Sequence, residues 1–391
     1  MLKFITYKYR IYPNDVQKEK IENNFKCCKS IYNKLLCYRT EEYNRYKKYV
    51  KYCERNDKFV DKKYFNSKCK IPSLSKIKEF YPELKKADSL AICNEWCNLN
   101  KSFTNFFSHR GKFPKSKQYD DKKSYITCLV NNNIRINNNR LRLPKIGMIK
   151  IKLYRKIPNG LVIKRCIVMS DKIDRYYVSI LVCTEIPKIN KKLNIDNILG
   201  LDFKISDIFV DSNGNTPKFI RPYKSSIEKL KYLSKILSRK IKFSKNWYKH
   251  LKHIQKLHKT IAFKRKDFLD KLSNVISKKY DVIVAETLSI KEMTSKFDDG
   301  TYIYDTGYCK FLTMLKNKLN SLGKKIIKVD RWFPSSKKCS NCGSIKEDLL
   351  LEERVYYCDK CGKIQDRDEN AAINIANEGK RILIENMCIN Q

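Results

Sequence analysis

Acidic residues are scarce in this sequence relative to basic ones. Its 391 residues include 41 Asp and Glu against 84 Lys and Arg, a formal net charge of +43. Self-repulsion between so many like charges opposes compaction unless a polyanion neutralises them. Neutralising phosphates releases counterions and drives association, so the charge predicts a nucleic-acid partner. AT-rich codon usage alone could raise the lysine content, but it would raise the content of Asp and Glu as well.

Long apolar runs are missing too. No stretch approaches the roughly 20 apolar residues of a membrane span, and the basic N-terminal segment MLKFITYKYRIYPND lacks the apolar centre of a secretory signal. The 16 cysteines are scattered along the chain, unlike a disulfide framework. Twelve of them, including Cys27, Cys28, Cys93 and Cys183, are predicted to be reduced core residues. We expect no membrane partner and a cytoplasmic protein, or a nuclear one in a eukaryotic or viral host.

Hydrophobic patterning changes twice along the chain. A predicted strand at Phe4–Ile11 is followed by helical spacing, which Asn14 or Asp15 can cap and which continues to about residue 110. Strict alternation then predicts a β-rich module at about 120–190. From Ile198 onward strands alternate with helices, which favours an α/β second half.

Within the second half, the turn Ser212–Asn215 predicts a hairpin between two strands. The basic stretch Ile227–Tyr280 is predicted to be helical, since neither Pro nor Gly interrupts it. Strands are predicted at Asp281–Ala285 and Lys325–Val329, with a helix at Phe311–Leu322 between them. A last helix is predicted from about Glu369.

Four cysteines form two C-x2-C knuckles. Cys339 and Cys342 are separated by 15 residues from Cys358 and Cys361. This spacing suits one tetrahedral Zn²⁺ bound by four thiolates, and a closed site of this kind is structural rather than catalytic. The strand-like segment between the knuckles predicts a zinc ribbon.

Three carboxylates follow or precede apolar segments. Asp202 and Glu286 each follow a predicted buried strand, and Asp368 precedes a helix that begins with small residues. Clustered carboxylates can hold the Mg²⁺ ions that phosphodiester hydrolysis requires. Each acid taken alone is more often a strand-end or helix-cap residue than a functional one. Asp207 and Asp211 compete with Asp202 for this role, and Asp366 competes with Asp368.

Five motifs of the second half resemble those of the TnpB proteins of insertion sequences, in the same order. They read GLDFKISDIF, VAETLSI, RWFPSSKKCSNCG, YYCDKCG and DRDENAAINIA. The resemblance covers about residues 195–380, and the N-terminal KYRIYPNDVQKEKI is similar to the family's opening segment more loosely. Relatives of this family include the Fanzor proteins and the compact type V CRISPR effectors.

The resemblance implies a multidomain α+β chain that ends in an RNase-H-like (RuvC) α/β nuclease domain with an inserted zinc ribbon. A helical recognition lobe and a β-rich wedge domain precede the nuclease domain in the family. The corresponding ranges here are 1–14 for a wedge strand, 15–119 for the recognition lobe, 120–194 for the wedge domain, 195–391 for the nuclease domain, 225–280 for its helical insertion and 335–362 for the ribbon.

By position in the motifs, the resemblance implies that Asp202, Glu286 and Asp368 are catalytic and bind Mg²⁺. Asp368 is preferred over Asp366 because the family's aspartate stands two residues before the Asn-Ala-Ala run. One departure is Phe203-Lys204, where the family usually carries a small or apolar residue followed by Gly.

The activity that the resemblance implies is RNA-guided, Mg²⁺-dependent DNA cleavage by a protein of a transposable element. The implied partners are a guide RNA from the transposon end and double-stranded target DNA; base pairing would then read the sequence. The alternative is a non-cleaving regulator of transposition or transcription, but such a protein should have lost an acidic ligand. None of the four histidines forms the His-x-His metal pair of strand-joining transposases.

Overall fold

The computed structural model describes residues 2–60, 73–118, 123–158, 160–185, 193–289, 292–294, 300–350 and 352–388. The chain divides into two compact units, Met1–Pro187 and Lys188–Gln391. Residues 61–72 of the predicted recognition lobe and 119–122 at its junction with the wedge lie outside the described residues. The predicted domain boundaries stay predictions. In the described part of the chain, no helix is both long and apolar enough to cross a membrane.

An antiparallel seven-stranded sheet forms the centre of the N-terminal unit. Its strand order is β2-β6-β7-β1-β5-β4-β3, so the N-terminal strand lies in the middle and pairs with β7 and β5. Apolar side chains such as Tyr9, Ile149 and Val178 are buried on one face of the sheet. The strands are β1 Leu2–Tyr12, β2 Ser124–Cys128, β3 Arg135–Asn137, β4 Arg140–Leu143, β5 Gly147–Lys152, β6 Val162–Ser170 and β7 Tyr176–Glu185.

The described helices of this unit are α1 Asp15–Arg55, α2 Leu74–Phe80 and α3 Ser89–Phe107, with a 3₁₀ turn at Pro82–Lys86. Of the two predicted caps, Asn14 is the one used. Its side chain accepts a hydrogen bond from Gln17 N at 2.8 Å, and the Gln17 side chain accepts one from Asn14 N at 3.1 Å. This reciprocal capping box fixes the first turn of α1.

Three of the four cysteines named as core residues, Cys27, Cys28 and Cys183, are buried. The prediction for Cys93 is wrong, because its side chain is exposed on α3. The buried face of α3 runs through Ile92 and Leu99, and residue 93 lies about 100° around the helix from residue 92.

The sheet of the C-terminal unit has four described strands in the order β11-β10-β8-β9. β8 and β9 are antiparallel, whereas β10 is parallel to both β8 and β11. Val282, Ile283 and Val284 of β10 are fully buried, as is typical of a parallel strand covered on both faces. The strands are β8 Ile198–Lys204, β9 Ile208–Asp211, β10 Val282–Glu286 and β11 Lys325–Val329, and a separate pair comprises β12 Val355–Tyr357 and β13 Ile364–Asp366.

The predicted position of the first hairpin turn is wrong. The chain reverses at residues 205–207, between β8 and β9, and the next described strand after the Ser212–Asn215 turn, β10, begins only at Val282. Asp211 explains the difference, because its side chain accepts hydrogen bonds from Asn213 N and Asn215 N, both at 2.9 Å. The turn-forming residues therefore close a local turn after β9 rather than join two strands.

The described helices of the C-terminal unit are α4 Ile227–Ser238, α5 Lys245–Lys279, α6 Gly300–Thr306, α7 Tyr308–Ser321 and α8 Arg367–Cys388. The predicted helical stretch 227–280 is thus interrupted between α4 and α5. Phe243 adopts a left-handed φ of 68°, and the Ser244 hydroxyl accepts a hydrogen bond from Trp247 N at 3.1 Å. A new N-cap starts α5 there without any Pro or Gly.

Close packing of α8 onto the sheet depends on two glycines. A Cβ on Gly200 of β8 would overlap the carbonyl oxygen of Ala372, and one on Gly379 of α8 would overlap the side chain of Val284 in β10. Ala371 and Ala372 are buried at this interface. The small residues let α8 cross β8 and β10 directly, which brings its first turn to the carboxyl ends of both strands.

Candidate active site and metal centre

Asp202 and Glu286 lie at corresponding positions of neighbouring parallel strands. Leu201 of β8 pairs in register with Ala285 of β10, so the acids that follow them emerge at the same edge of the sheet. Glu286 Oε1 accepts a hydrogen bond from the backbone N–H of Phe203 at 3.2 Å. The strand ends therefore fix both carboxylates relative to each other.

Asp368 reaches the same edge from α8. It lies in the first turn of that helix, and its Oδ2 is 3.1 Å from Lys204 Nζ at the end of β8. An acid in the first turn is also favoured by the helix dipole. The structure thus brings together all three carboxylates that the sequence singled out, each from a different element.

The charges of the three acids affect one another. Burial raises the pKa of Asp202 well above its ordinary value of 3.8, as do the nearby charges of Glu286 and Asp368 and a hydrogen bond with Glu286. Repulsion from the neighbouring carboxylates favours the protonated form of Asp202. Carboxylate oxygens are hard donors of the kind that divalent cations prefer.

The three competing aspartates have local roles in the backbone. Asp207 lies in the β8–β9 turn, where its Oδ2 accepts a hydrogen bond from the Ser206 hydroxyl at 2.6 Å, and Asp211 closes the turn after β9. Asp366 caps α8, accepting hydrogen bonds from Asp368 N at 2.9 Å and Glu369 N at 3.0 Å. Each of these aspartates therefore accepts hydrogen bonds from its own turn or helix end, which is a structural role.

Tyr308 belongs to this site although sequence reasoning missed it. Its side chain is 2% exposed, and burial raises its pKa well above the ordinary value, assisted by the charges of Glu286 and Asp202. Its hydroxyl has no hydrogen-bond partner among the described residues, and its ring packs on Phe203 with centroids 4.9 Å apart. Nothing in the local sequence signals this role, because the contact depends on how α7 packs under β8.

The four cysteines of the knuckles converge on one point. The Sγ atoms of Cys339 and Cys361 are 3.7 Å apart and those of Cys342 and Cys358 are 3.5 Å apart, and all four lie within 4.8 Å of one another. A tetrahedral zinc ion with sulfurs at about 2.3 Å requires edges of about 3.8 Å. The cluster can therefore hold a metal ion such as Zn²⁺.

Each knuckle closes in the same way. Gly343 N donates to Cys339 O at 3.0 Å, and Gly362 N donates to Cys358 O at 2.8 Å. Both glycines have left-handed φ values, 77° and 69°, which a side chain would disfavour. The tight turns present both sulfurs of a knuckle to the same side.

Ser344 tunes two of the thiols. Its hydroxyl lies 3.1 Å from Cys342 Sγ and 3.2 Å from Cys358 Sγ. Hydrogen bonding with Ser344 lowers the pKa of Cys358 to about 6 and also lowers the pKa of Cys342, whereas burial raises the pKa of Cys339 to about 11. Part of the cluster is thus ready to act as thiolate, the form that binds metal.

Two buried asparagines of α8 attach the first knuckle to the helix that carries Asp368. Asn370 Oδ1 accepts a hydrogen bond from Ser340 N at 2.9 Å, and Asn370 Nδ2 donates to Lys338 O at 2.8 Å. Asn374 Nδ2 donates to the carbonyl oxygens of Ser335 and Lys338 at 2.8 and 2.6 Å. The cysteine cluster and the carboxylate site therefore share one helix.

Three family models match the chain. A "Probable transposase" model matches residues 181–296, a "Cas12f1-like, TNB domain" model matches 308–375, and a "Helix-turn-helix domain" model matches 1–48. The first two contain the carboxylates at 202, 286 and 368 and the four knuckle cysteines. In the range of the third, the structure has β1 followed by the first part of a single helix, α1.

Bacterial relatives extend over almost the whole chain. A Streptomyces pristinaespiralis protein named "Putative RNA-guided DNA endonuclease" is 29% identical over 378 residues, which are 95% of this chain and 89% of the relative. An Escherichia coli protein that bears the same name with the addition InsQ is 25% identical, covering 98% of this chain and 94% of the relative.

A solved structure shares the fold. The matched chain comes from a cryo-EM structure of a complex of Cas12f1 with single-guide RNA and target DNA, and the TM-score is 0.54. The alignment covers 96% of this chain and 99% of the other at 13% sequence identity. This comparison establishes a mixed α/β architecture of the Cas12f1 kind.

Proposed function

We propose that this chain, which belongs to the TnpB family, is an RNA-guided DNA endonuclease that cleaves phosphodiester bonds at the carboxylates of Asp202, Glu286 and Asp368. The observation that carries the proposal is the meeting of β8, β10 and α8, where burial and the neighbouring acids raise the pKa of Asp202. A perturbed carboxylate among other carboxylates is typical of a functional site. The names of the bacterial relatives support the guided activity.

The C-terminal unit is proposed to be an RNase-H-like (RuvC) nuclease domain. An antiparallel hairpin, β8–β9, followed by two further strands parallel to β8 supports this assignment. The cysteine cluster is proposed to be a structural zinc ribbon, since four protein thiolates leave no position open for water. The helical recognition lobe and the wedge domain are proposed for 15–119 and 120–194.

Asp202, Glu286 and Asp368 would hold Mg²⁺ through carboxylate oxygens. When bound, a divalent cation supplies Lewis-acid activation of a water and stabilises the leaving oxygen. Because the pKa of Asp202 is raised, its carboxyl has to lose its proton before it can act as a ligand. The N–H of Phe203 holds Glu286 in place meanwhile, so the site needs little reorganisation.

Guide RNA and double-stranded DNA are the proposed partners. The net charge of +43 gives a strong electrostatic drive for binding phosphates. In α4 and α5, exposed aromatic side chains alternate with lysines: Tyr232, Tyr248 and Phe263 are all more than half exposed. Exposed rings beside cations can stack on bases while the lysines contact backbones.

The first test is purification after expression with native flanking DNA, followed by sequencing of copurified RNA. The proposal expects a discrete RNA with a variable end that matches flanking DNA. A target carrying that sequence should then be cut in the presence of Mg²⁺. Heterogeneous RNA, or none, would favour the alternative function, a regulator that binds DNA without a guide.

The second test separates cutting from binding. Asp202→Ala, Glu286→Ala and Asp368→Ala should each abolish cutting, by at least about 10³-fold, while copurified RNA remains. Asp207→Ala is the matched control, because among the described residues this acid accepts a hydrogen bond from Ser206 within its own turn. Cutting that survives all three changes would refute the site, and retained binding without any cutting in the unaltered protein would support the regulator.

A further inference from the structure

Lys204 is the last residue of β8 and contacts the proposed catalytic site directly. Its Nζ lies 3.1 Å from Oδ2 of Asp368, where the side chains are 33% and 18% exposed respectively. The contact joins the end of a strand to the first turn of α8. Lys204 stands at the position where, by the resemblance, the family usually carries Gly.

Of the three acids, Asp368 is the one that the ammonium group of Lys204 contacts. Asp202 and Glu286 share a hydrogen bond, and Arg367 also lies close enough to Asp202 to oppose the rise in its pKa. The guanidinium of Arg367 is held by the carbonyl oxygens of Leu350 and Glu353, at 2.8 and 3.2 Å. Among the described residues, Lys204 is therefore the cation that forms an ion pair with Asp368.

A divalent cation and an ammonium group need the same carboxylate. Mg²⁺ binds carboxylate oxygens at about 2.1 Å and holds its ligands in a strict octahedron. An ammonium 3.1 Å from Oδ2 offsets part of the negative charge that attracts the ion and occupies space beside that oxygen. Binding of the metal through Asp368 must therefore displace or weaken this contact.

We propose that Lys204 is a positioning residue that holds Asp368 in the metal-free protein and competes with the divalent cation for it. The proposal rests on the proposed function, because it takes the three carboxylates to be the metal site. Lys204 would keep Asp368 in place at the cost of metal affinity. The direction in which metal affinity changes when Lys204 is replaced distinguishes competition from a merely structural contact. Competition predicts tighter metal binding without the lysine, whereas a purely structural role predicts weaker binding.

The test measures the affinity for Mn²⁺, used as a probe for Mg²⁺, by isothermal titration calorimetry. The sample is the zinc-loaded full chain without nucleic acid. Lys204→Met keeps the length of the side chain and removes its charge. It should tighten Mn²⁺ binding by roughly two- to fivefold, the range for a partly exposed ion pair. Lys204→Arg should bind Mn²⁺ as the unaltered protein does, and melting temperatures verify that each variant is folded.

Two controls isolate the contact. Lys229→Met removes an exposed positive charge from α4 of the same unit and should leave the affinity unchanged. In an Asp368→Asn background, Lys204→Met should lose its effect, because the shared acid is gone. An undiminished gain in that background would show that general charge, not competition for Asp368, is responsible, and would overturn the inference.

The remaining outcomes distinguish this inference from the proposed function. If Mn²⁺ binding is absent, or does not depend on Asp202 and Glu286, the metal site itself is wrong and both proposals fall. If binding depends on both acids but Lys204→Met leaves it unchanged or weakens it, only the role of Lys204 is wrong.

Discussion

Gly200 of β8 lies so close to Ala372 of α8 that a single added carbon would overlap the Ala372 carbonyl oxygen. The contact is to backbone, which cannot rotate away as a side chain can. It sets the distance between the strand that carries Asp202 and the helix that carries Asp368.

Gly200→Ala should therefore destabilise the protein and lower cutting together. Overpacking a core typically costs about 1–3 kcal/mol, and a clash with backbone belongs at or above the upper end of that range. The free energy of unfolding, from urea titration, measures the first effect, and a cleavage assay measures the second. Gly111→Ala is the matched control, since its added carbon would meet nothing closer than Asn105 Cβ at 3.6 Å. Equal stability of the two variants would contradict the close approach.

Asp202→Asn should stabilise the metal-free protein while abolishing cutting. Because the pKa of Asp202 is raised, the folded state keeps a proton that the unfolded state loses above about pH 3.8. Stability of the unaltered protein therefore falls as pH rises from that value through the raised pKa, and this loss is absent in the amide variant. In EDTA, the melting temperature of the variant should exceed that of the unaltered protein by roughly 2 °C or more at pH 8. The two should converge as the pH is lowered towards 4, and a gap that widened in acid would have the wrong sign.

Tyr308→Phe and Tyr356→Phe should change stability in opposite directions. Among the described residues, the Tyr308 hydroxyl is buried without a partner, so its removal should raise the free energy of unfolding by about 1 kcal/mol or more. Tyr356 OH instead donates to Lys337 O at 3.1 Å in the ribbon, and losing that bond should cost about 1 kcal/mol. Urea titration in EDTA compares the pair. A loss of stability in both variants would mean that Tyr308 has a hydrogen-bond partner.

The cysteine cluster should bind one zinc ion per chain and lose it when a ligand is removed. Cys358→Ser should abolish stoichiometric zinc, measured by elemental analysis of the purified protein. Because Asn370 and Asn374 fasten the first knuckle to α8, the change should also lower the melting temperature and slow cutting. Cys309→Ser, at an exposed cysteine outside the ribbon, should retain the metal. A full complement of zinc in Cys358→Ser would contradict the ligand set.

Local patterns in the sequence predicted the elements whose physics is local. β11 occupies the range predicted for it, Asn14 caps α1, and the knuckle spacing led to four sulfurs at one point. An apolar run indicates a buried strand, and a side-chain oxygen beside the first N–H groups of a helix indicates a cap. The same reasoning placed Glu286 at the end of its strand, whereas β8 continues past Asp202 to Lys204.

Features that depend on distant packing were not predictable. The true β8–β9 turn places a β-branched residue, Ile208, in a left-handed conformation with φ of 81°, which no turn pattern would suggest. The break before α5 uses Phe243 in a similar conformation. Likewise, Lys204 and Tyr308 join the carboxylates only because α8 and α7 pack against β8. Sequence motifs identified the three acids, whereas Lys204 and Tyr308 contact them only through tertiary packing.

Both ends of the ribbon are fastened to the same helix. On the outgoing side, Asn374 holds the carbonyl oxygens of Ser335 and Lys338, and on the returning side Asp366 caps α8. We therefore expect that the segment between these anchor points can be replaced without moving Asp368. A metal-free β-hairpin grafted between Lys338 and Asp366, with Asn370 re-paired to its first strand, would yield a nuclease indifferent to zinc supply.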